Sequence, residues 1–172
     1  MQHVNVKIFA TKADINLVDA IPVFHKWIQD KTMPELLIDV ADYKHVPEGP
    51  GVMLIGHEAD YSLDETDGRL GLLYNRKSEV EGDALQQAFS SAHAAVRVLE
   101  ATEVFAGRLE FSTTELEVIL NDRLLYPNTE ETWTEVIAAF EAFATDLYGA
   151  GNYTIERRGE PRDRVRAGIT RK

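Results

Sequence analysis

Apolar and polar residues alternate through residues 3–10, where Val4, Val6 and Ile8 share one parity, and this period of two predicts a half-buried strand. The period then lengthens. Ile21, Phe24, Trp27 and Ile28 recur at helical spacing behind Asp19, a capping residue, with Pro22 where a first helical turn tolerates it. The run "LLIDV" (residues 36–40) reads as a buried strand. Residues 82–101 return to the helical period, with Leu85, Ala88, Phe89, Ala92, Val96 and Leu99 on one stripe. A second long helix is predicted from "PNTEETW", where Asn128 and Glu131 have capping-box spacing. Its stripe is Trp133, Ile137, Phe140, Ala144 and Leu147, and Gly149 is a natural stop. Between these helices "LEFSTTELEVILNDRLLY" reads as strands turning at Asn121-Asp122, and "NYTIER" adds a last strand.

The stretch "GVMLIGHEADYS" (residues 51–62) places His57, Glu58 and Asp60 within four positions of one another. Read as one strand, it sends alternate side chains to opposite faces. Met53, Ile55, His57, Tyr61 and Leu63 then face a helix, and Glu58 and Asp60 face away, so the three polar groups cannot share one ligand. Asp67-Gly68 is a favoured hairpin turn. It pairs Leu63 with Leu72, Tyr61 with Tyr74, Asp60 with Asn75 and Glu58 with Lys77, which sets like against like and acid against base.

Strands and helices mix without regular β-α-β alternation. The expected fold is α+β: a single domain over residues 1–158, with a largely antiparallel sheet packed by about three helices. Residues 159–172 are expected to form a basic C-terminal tail or an edge strand, because Val165, Ala167 and Ile169 alternate with Arg164 and Arg166.

Charge sharpens this picture. The chain of 172 residues has a net charge of −11, yet residues 152–172 carry seven Lys/Arg against three Asp/Glu. The rest of the chain is strongly acidic, so nucleic acid is disfavoured as a partner. The arginines of the basic end (Arg157, Arg158, Arg164 and Arg166) become candidates for binding a partner, in the first instance a second copy of the chain. There is no cysteine, which excludes disulfides and thiolate chemistry. No apolar run approaches the length of a membrane span, and no signal-peptide pattern is present, so a cytoplasmic location is expected.

Candidate chemistry is thin. "EGPG" has neither the lysine nor the following helix of a phosphate loop, "DYSLDETDG" breaks the order of a calcium loop, and no G-x-S-x-G occurs. Histidines and carboxylates remain, and His25, Asp39, His45 and His57, with Tyr61 and Tyr74, are the candidate ligand-binding residues. The sequence implies no cofactor and no metal, and no motif is specific enough to support a family resemblance. The favoured function is a non-catalytic protein that binds a partner or small ligand, as a homodimer. The competing one is a metal-assisted hydrolase using His25, Asp39, Asp42 and His57.

Overall fold

The alternation at the N-terminus becomes the long strand β1 (Val4–Ala13), whose inward residues Val4, Val6 and Ile8 are buried. The computed structural model describes residues 1–172. In chain order β1 is followed by α1 (Ala20–Asp30), β2 (Leu37–Asp42), β3 (Val52–Gly56), β4 (Ala59–Asp64) and β5 (Gly71–Arg76). Then come α2 (Ala84–Ala101), β6 (Leu109–Leu120), α3 (Glu130–Tyr148), β7 (Tyr153–Arg158) and β8 (Arg166–Arg171). All eight strands form one sheet in the order β2-β3-β4-β5-β1-β6-β8-β7, and every pairing is antiparallel. The fold is α+β, as expected.

The helices share one side of the sheet. Phe24 and Trp27 of α1, Leu85 and Leu99 of α2, and Phe140 of α3 join one continuous core with Val6, Leu54, Tyr61, Tyr74, Val118 and Ile169 of the strands. Burying this apolar surface is the main stabilising term. The other side of the sheet carries no helix. Across it, neighbouring strands align Ser62, Leu73, Lys7, Glu117, Gly168 and Glu156 in a single row.

The Asp67-Gly68 hairpin forms in the expected register, with Leu63 opposite Leu72 and Tyr61 opposite Tyr74. Asp67 and Gly68 both take the left-handed conformation (φ 60° and 67°) that this turn demands. Residues 51–62, however, are two strands rather than one. The chain reverses at His57-Glu58 between β3 and β4, pairing Ile55 with Asp60 and Leu54 with Tyr61. The turn lacks Asn and Asp, so its sequence is silent. It is held from outside: His57 N–H donates to the Leu36 carbonyl, and Lys77 N–H donates to the Glu58 carbonyl. As a result Val52 and Leu54 face the core, whereas Met53 and Ile55 move to the open side.

Other expectations shift in detail. Residues 36–40 do not make a buried strand: β2 is an edge strand, bulged between Leu37 and Asp39, with Ile38 exposed. Thr129, not Asn128, caps α3, because the Asn128 amide is occupied by Arg157 and the Glu160 carbonyl. The buried line of α3 runs through Val136, Phe140, Phe143 and Ala144, leaving Trp133, Ile137 and Leu147 half-buried. After β6 the chain makes an Asp122-capped turn instead of another strand. Finally, residues 159–172 do not end as a tail or rim. They supply β8, an interior strand between β6 and β7, because Val165, Ala167 and Ile169 bury completely.

Candidate functional site

Of the six residues proposed from sequence for a ligand, the fold brings two together. Tyr61 on β4 and Tyr74 on β5 are cross-strand partners, their rings meeting edge to face at 5.1 Å. Their hydroxyls converge on Glu35, in the connection between α1 and β2. Tyr61 donates to Glu35 Oε2 at 2.7 Å and Tyr74 to Oε1 at 3.1 Å. Ser91 of α2 donates to the same Oε1 at 3.3 Å. One carboxylate therefore collects three hydroxyls at the junction of α2 with the sheet. Burial, reinforced by Glu35, raises the ionisation of Tyr61 far above its ordinary range, and burial raises Tyr74 also. Both are held as neutral hydroxyls.

Glu35, Tyr74 and Ser91 border a cleft of about 460 Å³, lined also by Arg76, Gln86, Gln87, Ser90 and Glu58, with Tyr61 buried behind it. Arg76 follows Leu72 and Tyr74 on the inward parity of β5, so a guanidinium continues a buried alternation. It makes no ion pair; its acceptors are the Ser78 carbonyl at 3.1 Å and the Tyr74 hydroxyl at 3.5 Å. Glu35, Arg76 and Ser91 were not identified from sequence. Arg76 breaking the strand alternation, and Ser91 interrupting the alanine-rich inner stripe of α2, were the available signals; Glu35 had none.

The remaining candidates lie elsewhere. His25 is exposed on α1. Asp39 is exposed on β2, bonded to the Val40 N–H, and Asp42 bonds the Lys44 N–H. The ring of His45 lies beside Tyr43 in the following loop. His57, 71% exposed, meets Glu58 across the turn at 3.2 Å, and this bond holds the Glu58 carboxyl below its usual value. His57 therefore does not face a helix, and the two side chains do not diverge, because they occupy a turn and not a strand. No three His, Asp or Glu side chains are grouped to hold a metal ion, and His25, Asp39, Asp42 and His57 do not converge.

The candidate partner arginines are engaged within the chain. Arg157 bonds Asn128 and Glu130, Arg158 bonds Glu115, Arg164 bonds Asn121, and Arg166 bonds Glu117 and Asp67. Arg158 and Arg166 thereby neutralise Glu115 and Glu117 on β6, and Arg157 neutralises Glu130 of α3. No helix is long and apolar enough to cross a membrane. Comparisons with known proteins find no family model, no curated protein and no solved structure that matches the chain.

Proposed function

We propose that this chain is a non-catalytic binding protein whose ligand is a small polar molecule with an acidic group, held in the cleft beside Glu35. The observation that carries this reading is Arg76: a cation lining the cleft that makes no ion pair, beside the Tyr74 and Ser91 hydroxyls already ordered by Glu35. An arginine so placed is suited to a carboxylate or a similar anion. Ser90, Gln86 and Gln87 supply further polar contacts for the rest of such a molecule. Burial holds both tyrosines neutral and Glu35 already accepts three hydroxyls, a fixed polar set suited to orienting a ligand.

The test is thermal stability across a panel of small mono- and dicarboxylic acids. Saturating ligand should raise the melting temperature, since binding at about 100 times the dissociation constant contributes about 2.7 kcal/mol. Arg76→Gln should abolish the shift, whereas Arg97→Gln, on the exposed side of α2, should preserve it.

We also propose a homodimer, with the β2 edge as the shared contact. Leu36, Ile38, Tyr43 and Val46 are exposed along and just beyond this edge, Leu36 by 64%. An unpaired apolar edge favours pairing with an identical edge.

A further inference from the structure

The open side of the sheet holds a second constellation, independent of the Glu35 cleft. Lys7 and Glu117 are direct cross-strand partners at its centre, and both are almost fully buried although no helix covers them. Lys7 Nζ donates to Asp64 Oδ1 at 2.5 Å and to the Thr66 carbonyl at 3.2 Å, which leaves one of its three N–H groups unassigned. Glu117 Oε2 accepts from Nε and Nη2 of Arg166. Its other oxygen, Oε1, accepts no hydrogen bond, though the residue is 1% exposed and Arg158 Nη1 stands 3.5 Å away. Arg158 hydrogen-bonds only through Nη2, to Glu115, while its Nη1 reaches Glu117 Oε1 at ion-pair distance alone. Arg166 Nη1 has no acceptor either.

These groups line a recess of about 370 Å³ together with Phe9, Arg69, Asp67 and Asp163. Asp163 is already used by its own loop, accepting from the Glu160 N–H. Two glycines make the arrangement possible. A Cβ at Gly71 would stand 2.9 Å from Lys7 Cε, and one at Gly168 would stand 2.3 Å from Arg158 Cζ. Both cations therefore lie flat across neighbouring strands, and glycine within a strand weakens it unless something approaches closely. The recess offers donors from Lys7, Arg158 and Arg166 together with one buried, unbonded carboxylate oxygen. A fully ionised anion satisfies the donors and repels that oxygen. An oxyanion that retains a proton satisfies both.

We propose that this recess binds inorganic phosphate, an oxyanion that keeps a proton at neutral pH, with its P–O⁻ oxygens on Lys7, Arg158 and Arg166 and its P–OH donating to Glu117 Oε1. Sulfate, which carries no proton at neutral pH, is the discriminating comparison. Calorimetric titration of the full chain with inorganic phosphate should show one site, with sulfate at least tenfold weaker at matched ionic strength. Glu117→Gln, which can donate to an unprotonated anion, should reduce that preference. Gly168→Ala meets only the end of a flexible side chain, so it should fold normally, displace Arg158 and weaken phosphate at least tenfold. Arg76→Gln should leave phosphate binding unchanged, which separates this site from the Glu35 cleft. Absence of phosphate binding, equal affinity for phosphate and sulfate, or a folded Gly168→Ala that binds as tightly as the parent would each overturn the assignment; the Glu117 oxygen would then be served by water alone.

Discussion

At the scale of single residues, the tyrosine pair links burial to a measurable property. Tyr61 and Tyr74 both ionise above their ordinary value of 10.0 because burial disfavours the phenolate. An acid group whose pKa is raised by folding contributes stability that is fully present below about pH 10 and is lost as the pH rises through the folded value. Spectroscopic alkaline titration should therefore leave these two of the six tyrosines silent until the protein unfolds. Tyr61→Phe should remove one late-ionising group, and reversible ionisation of all six in the folded state would refute the burial. The pair itself was legible in the sequence, because a recognisable turn fixed its register. Glu35 was not, since its partners come from β4, β5 and α2, separated from it by 26 or more positions.

At the scale of elements, long periodic segments announced themselves and short ones did not. The stripe of α2 held because a helix packed against the middle of the sheet must repeat small apolar residues over several turns. The His57-Glu58 turn was hidden because its stability comes from bonds to Leu36 and Lys77, just before β2 and just after β5. One missed turn exchanges the faces of every residue before it, which is why Met53 and Ile55 were placed with the core. For α3, Phe140 is fully buried and Trp133 leans against it at 6.0 Å. Phe140→Ala should cost about 3–5 kcal/mol in denaturant unfolding. A loss below about 1 kcal/mol would mean that α3 contributes little to the core.

At the scale of the whole molecule, charge has a different role from the one its distribution along the chain suggests. The basic end neutralises Glu115, Glu117 and Asp67 inside its own sheet. Arg69 with Arg158 holds the Glu115 carboxyl down to about 2. Sequence counting showed the asymmetry, but only the strand order shows where it goes. The proposed self-association rests instead on the apolar β2 edge. Ile38→Lys should convert a sedimenting dimer to monomer without loss of fold, and a parent chain that is monomeric at all accessible concentrations would exclude the dimer.

The proposed acidic-ligand cleft is tested most directly by nuclear magnetic resonance titration of the parent chain with the carboxylic acid panel. The predicted result is saturable shifts at Arg76, Gln87, Ser90 and Ser91, lost in Arg76→Gln, where removal of a charge-assisted contact should weaken binding about 10- to 100-fold. Shifts confined to other parts of the surface, or unchanged affinity in the Arg76→Gln chain, would contradict it.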